Sequence, residues 1–153
     1  MSYTNKIHLT WYSVATAVER IADEIKESGF KPDYIVGLTR GGLTPAVMLS
    51  NLIDVPMYAV HIQLRDGWVM DNSLLHDHVE KGTNILVIDD ICDTAKTFEE
   101  MCEQYNTDRT HVKFAALVNK KDNHGFDVDY TADLCKDSAK SWIVFPWEDI
   151  AYG

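Results

Sequence analysis

No apolar run in this chain approaches the ~20 residues needed to cross a bilayer, and the N-terminus has no basic segment leading into an apolar one. The first absence argues against a membrane-spanning helix; the second leads us to expect a cytoplasmic protein. Cysteine is scarce. Cys92, Cys102 and Cys135 cannot all pair within one chain and none forms a Cys-x-x-Cys clasp, so the thiols are expected to be reduced. Among the six histidines only His76 and His78 lie close together, in a polar segment without further ligands, which reads as a solvated loop rather than a zinc site. Positive charge is short too: 14 Lys and Arg stand against 24 Asp and Glu, a formal charge of -10, so the surface at large repels nucleic acid and acidic membranes. No repeat, low-complexity tract or Gly/Ser-rich linker divides the chain, and residues 1–153 are expected to form a single domain.

What is present is a composition of 46% hydrophobic and 25% charged residues, ordinary for a folded globular domain. The organising stretch is Ile85 to Thr97. A strand-forming run from Ile85 to Ile88 meets two adjacent carboxylates, Asp89 and Asp90, and then Asp93, Thr94, Ala95, Lys96 and Thr97 stand where a helix should begin. Strand, polar loop and helix in that order place a ligand at the carboxyl end of a parallel strand, with unpaired helix N–H groups offered to an anion. The elements around it read as an α/β domain. Thr10 caps a helix whose Val14, Val18, Ile21, Ala22 and Ile25 recur at helical spacing, with Gly29 as its stop. Tyr34 to Leu38, Met57 to Gln63, Lys113 to Val118 and Val128 to Leu134 read as strands, and Thr44 and Pro45 as the cap and first turn of a helix over Ala46 to Ile53. Between the first of these strands and that helix stand Thr39, Arg40, Gly41 and Gly42, an arginine fork beside two glycines that allow close backbone approach.

The Asp89 to Thr97 wording resembles the phosphoribosyl pyrophosphate signature of the type I phosphoribosyltransferases: four apolar residues, two acids, two variable positions, then Asp-Thr-Gly-x-Thr. Ala95 stands where that family usually has glycine. Thr39 to Gly42 is similar to the family's Ser-Arg-Gly-Gly pyrophosphate loop, and the ending Trp142-Ile-Val-Phe-Pro-Trp147-Glu148 resembles the base-covering hood of purine enzymes of the xanthine-guanine type. The resemblance runs from about Ile7 to Glu148. It implies a mainly parallel sheet flanked by helices, a flexible lid at about 64–82, and a small C-terminal hood at about 128–153. It also implies transfer of ribose 5-phosphate from phosphoribosyl pyrophosphate to a purine base, with Mg2+ as cofactor, by a homo-oligomer.

Residue by residue, the resemblance assigns Asp89, Asp90, Asp93, Thr94, Ala95, Lys96 and Thr97 to phosphoribosyl pyrophosphate, with Asp89 toward the metal and Asp93 as the catalytic group. Thr39, Arg40, Gly41 and Gly42 fall to pyrophosphate. Lys120, Trp142, Ile143 and Glu148 fall to the purine, and Trp147 to packing. The lid departs from its relatives, with Leu64, Arg65 and Asp66 where Ser-Tyr is common. The alternative is a sensor of the same fold that binds phosphoribosyl pyrophosphate without catalysis, motivated by the methyl group of Ala95. A Walker B reading of Ile85 to Asp90 fails because no Gly-x-x-x-x-Gly-Lys-Ser/Thr precedes it. A receiver-domain reading leaves too little chain after the acids.

Overall fold

The computed structural model describes residues 5–62, 77, 80–105, 107–135 and 138–150. Most of the expected lid, and with it His76 and His78, lies outside the described residues.

Helix α1 (Trp11–Ser28) begins and ends where its sequence signals stand: the Thr10 side chain accepts from the Ser13 N–H, and Gly29 takes a left-handed φ of 77° with its N–H on the Lys26 carbonyl. Its buried face is Val14, Ala17, Val18, Ile21 and Ile25. Five strands, β2 (Tyr34–Leu38), β3 (Met57–Val60), β4 (Ile85–Cys92), β5 (Val112–Asn119) and β6 (Tyr130–Thr131), form a parallel sheet in the order β3-β2-β4-β5-β6. Alternation along the strands builds two cores. Ile35, Leu86, Ile88, Ala115 and Leu117 pack with α1 and with α2 (Leu43–Ile53) on one face. Val36, Ile85, Val87, Phe114 and Ala116 pack with Phe98 and Met101 of α3 (Lys96–Tyr105) on the other. Chain order runs outward from the sheet centre on both sides, so the carboxyl ends of β2 and β4 flank the crevice where open α/β sheets bind ligands.

The hood is a second, two-stranded parallel sheet in which β1 (Asn5–His8) pairs with β7 (Ser141–Val144), in register from Asn5 opposite Ser141 to His8 opposite Val144. It is tied to the domain by Leu9, Ile143 and Phe145, which are buried in the same core as α1.

Several boundaries differ from the sequence reading. β4 does not stop at its carboxylates but carries them to Cys92, because β5 is equally long and offers backbone partners as far as Asn119. α2 starts at Leu43 with Gly42 as its cap, so Thr44 and Pro45 lie inside the first turn; a side chain at Gly42 would strike the Leu38 and Ile88 carbonyls, which keeps that turn tight against the sheet. β3 ends at Val60 rather than Gln63, since its partner β2 ends at Leu38. The strand expected over Val128 to Leu134 shrinks to Tyr130–Thr131: Asp129 takes the Phe114 N–H with its side chain, and Asp133 turns left-handed at φ 53°. Because β6 belongs to the main sheet, the hood does not begin at residue 128 but after that strand.

Candidate functional site

Asp89 and Asp90 are half-buried at the end of the central strand, held by local bonds in which the Asp90 N–H donates to Asp89 Oδ1 at 2.9 Å and the Ile91 N–H to Asp90 Oδ1 at 2.7 Å. Burial, and next the adjacent Asp90 charge, pushes the Asp89 carboxyl well above the usual carboxylate range; burial raises Asp90 as well. Two carboxylates that resist ionising side by side form an arrangement that a bound cation would relieve. Among the described residues no group of three or more His, Cys, Asp or Glu side chains is placed to hold a metal ion. That donor set fits Mg2+, which is commonly held by one or two carboxylates with substrate oxygens and water completing its shell.

Beyond β4, a pocket of about 120 Å³ is lined by Asp89 and by Ile91 through Phe98. Here α3 begins at Lys96 rather than near Thr94, so Asp93, Thr94 and Ala95 form the loop, and the first α-helical turn closes with the Glu99 N–H on the Ala95 carbonyl at 2.9 Å. The earlier N–H groups of that turn precede the first helical bond, the kind of helix end that suits an anion. Ala95 adopts φ 63°, the left-handed conformation that glycine favours, and is buried in an apolar cluster with Cys92 and Phe98. An L-residue held there is disfavoured by about 1–2 kcal/mol, which the fold tolerates at this turn. The alanine therefore does not exclude the backbone angle that glycine would supply.

The Thr39 to Gly42 loop follows the neighbouring strand β2, and its Thr39–Arg40 peptide is cis. Gly41 lies so close to Asp90 that a Cβ at that position would overlap the carboxylate. The two glycines thus make room first for the chain's own Asp90 and strand carbonyls, which sets the Thr39 to Gly42 loop against the carboxylate pair. Thr39 Oγ1 lies 2.6 Å from His61 Nδ1, a contact that no spacing in the sequence announces.

A second pocket, of about 190 Å³, brings together Asp90, Ile91, Asp93, Lys120, Trp142, Ile143, Phe145 and Glu148. Lys120 follows β5 and is only 2% exposed, whereas Lys121 beside it is exposed. A buried ammonium needs partners, and Lys120 Nζ donates to the Ser141 carbonyl at 2.9 Å and lies 3.6 Å from Asp93 Oδ2. β7 alternates: Ser141 at 4% and Ile143 at 6% face inward, while Trp142 at 46% presents its ring at the pocket. Trp147 is the packing member, stacked on Phe145 at 4.8 Å and 6.1 Å from Trp11. One Glu148 oxygen accepts from the Phe145 N–H at 2.8 Å, so this carboxylate also holds the terminal turn that it was expected to lend to the base. Asn123, absent from the sequence reading, donates to Asp93 Oδ1 at 2.8 Å; in a polar run from Asn119 to His124 no pattern distinguishes it. A larger groove of about 620 Å³ lies beside the amino ends of β2 and β3 between α1 and α2, away from every residue assigned above.

The family model described as phosphoribosyl transferase domain matches residues 9–148. The xanthine-guanine phosphoribosyltransferase of Idiomarina loihiensis is 32% identical over 123 residues, covering 74% of this chain and 70% of that protein. The crystal structure of a purine phosphoribosyltransferase from Pyrococcus horikoshii aligns with a TM-score of 0.69 at 29% identity, covering 94% of this chain and 95% of that one. A hypothetical protein from Neisseria gonorrhoeae, solved with bound ppGpp, shares the fold with a TM-score of 0.71 at 24% identity over 96% of this chain and 92% of its own.

Proposed function

Because the chain belongs to the phosphoribosyl transferase domain family, we propose that it converts a 6-oxopurine and phosphoribosyl pyrophosphate to a purine nucleotide and pyrophosphate, as in purine salvage. The observation that carries the purine assignment is the 190 Å³ pocket, where an aromatic ring, a buried ammonium and carboxylates converge beside the end of β4.

Each group has a task in this reaction. The loop and first turn from Thr94 to Thr97 bind the 5-phosphate through N–H groups and threonine hydroxyls. Asp89 and Asp90 orient the ribose hydroxyls. Positive charge develops on the ribose as pyrophosphate leaves, and carboxylates in a partly dry crevice stabilise that charge better than water does. Thr39, the Arg40 fork and the backbone of Gly41 and Gly42 hold the leaving pyrophosphate. Asp89 would hold Mg2+, which when bound would supply charge neutralisation at the leaving group. In the second pocket Trp142 stacks on the base, Lys120 donates to its exocyclic oxygen, the Ile143 backbone reads its edge and Glu148 lies toward the 2-substituent. Asp93, between Lys120 and the ribose site, manages the N7 proton.

The contrast between the two tryptophans tests this assignment. Base stacking is worth about 1–3 kcal/mol by alanine substitution, so Trp142→Ala should weaken purine binding by roughly tenfold or more, with affinity for phosphoribosyl pyrophosphate nearly unchanged. Trp147→Ala should instead lower the melting temperature, because it strips a stacked ring from Phe145 at the core edge. Isothermal titration and thermal melts on both variants decide it. Selective loss of purine affinity in a folded Trp147→Ala, with Trp142→Ala unaffected, would reverse the two roles and withdraw those given to Ile143 and Glu148.

A further inference from the structure

We propose that Asn123 is a positioning residue for Asp93, fixing the carboxylate for proton handling and registering it with the hood; the inference rests on the role given to Asp93 above. Asp93 stands in the loop that follows β4, with its side chain a third exposed. Its two oxygens meet different partners. Oδ2 faces the Lys120 ammonium at 3.6 Å, a separation that provides charge but little direction. Oδ1 accepts from Asn123 Nδ2 at 2.8 Å, a full hydrogen bond that fixes the plane of the carboxylate.

The placement of Asn123 is itself determined. It closes the short 3-10 turn Lys121–Asn123, and its N–H donates to the Lys120 carbonyl at 2.8 Å, which ties the asparagine to the backbone of the buried lysine. The same Nδ2 reaches the Ala139 carbonyl at 3.5 Å, in the turn Ser138–Lys140 that leads directly into β7. One amide therefore spans the catalytic loop and the root of the strand that carries Trp142. The chemistry favours asparagine over its neighbours in kind. An aspartate would set a second carboxylate against Asp93, and a lysine would add a second cation beside Lys120. A neutral donor holds the carboxylate without adding a charge of its own. Small misplacement of a reacting group is enough to slow an oriented reaction strongly, which is why a partner outside the substrate pocket can govern turnover.

The test is a double-mutant cycle on full-length protein, measuring kcat and KM with guanine or hypoxanthine as the base. Asn123→Ala is expected to lower kcat about tenfold while KM for phosphoribosyl pyrophosphate stays within about twofold, and Asn123→Asp, equal in size but repelling Asp93, to lower it further. In an Asp93→Asn background, where there is no carboxylate to position, Asn123→Ala should change kcat by less than about twofold. A merely structural asparagine would lower kcat by the same factor in both backgrounds, and that result overturns the proposal. Wild-type kcat in Asn123→Ala overturns it too. Should the alanine variant lose its fold, Asn123→Ser, which keeps a polar group in the turn but cannot reach Asp93, gives the same comparison. Wild-type turnover in Asp93→Asn alone would remove the role of Asp93 itself, a failure visible without any change at Asn123.

Discussion

Asp93→Asn should reduce turnover by about 10²- to 10⁴-fold, the range supplied by a positioned acid or base, while phosphoribosyl pyrophosphate binds nearly as before. The substitution preserves size and keeps one carbonyl oxygen for the Asn123 amide, but it removes the negative charge and puts an NH2 group where Oδ2 faced Lys120. Lys120 is almost fully buried, so losing its anionic neighbour also lowers stability, and the melting temperature of the variant should fall. Turnover must therefore be measured on protein shown to be folded and ligand-competent. The split is the diagnostic result: kcat collapses and the dissociation constant for phosphoribosyl pyrophosphate does not. Loss of both together would mean that Asp93 chiefly holds the loop, and unchanged turnover would take it out of the chemistry.

The opposite effect on stability is expected at the two carboxylates near the end of β4. Most substitutions destabilise, yet Asp89→Asn and Asp90→Asn should each raise the melting temperature of the protein in chelator-containing buffer near neutral pH. Both carboxyls are pushed up by burial, so each binds its proton more tightly in the folded than in the unfolded chain. Below the unfolded value neither group opposes folding; as pH rises from there through the raised folded value, stability is lost, and above both it stays lost. Asparagine removes that penalty and keeps an oxygen to accept the Asp90 and Ile91 N–H groups. The gain over wild type should therefore vanish as pH falls through the ordinary carboxylate range, and activity should be absent throughout. With Mg2+ and phosphoribosyl pyrophosphate present the order should reverse, because only the wild type gains fully from binding. Melts across pH, with and without ligand, check it; lower melting temperatures for both variants at neutral pH would contradict a burial penalty on the two carboxylates at this strand end.

What could be read from the sequence follows from where the determining contacts lie. The Asp89 to Thr97 signature and the Thr39 to Gly42 loop are contiguous, and so are the Thr10 and Gly29 signals that bound α1, so local pattern suffices for each. The separation of Trp142 from Trp147 came from resemblance alone, since composition treats the two rings alike; structure separates them through β7 alternation and the Phe145 stack. Local pattern does not mark β1, because its strand exists through pairing with β7 more than a hundred residues away in sequence, a register no local pattern encodes. The same holds for the contacts that complete the site. His61 reaches Thr39 and Asn123 reaches Asp93 across the sheet's carboxyl edge, each from a position whose residue type is ordinary for a loop or strand end. The ends of β3 and β4 moved for a related reason: a strand lasts as long as its neighbour does, whatever its own residues prefer.

With alanine in the turn after β4, this fold is expected to carry out purine phosphoribosyl transfer. Incubating purified protein with phosphoribosyl pyrophosphate and, separately, hypoxanthine, guanine and xanthine, with Mg2+ or with chelator, and quantifying both the nucleoside monophosphate and pyrophosphate, tests it most directly. The account predicts the two products in equal amounts with at least one base, and only when Mg2+ is present. Saturable binding of phosphoribosyl pyrophosphate without nucleotide formation from any of the three bases would contradict it.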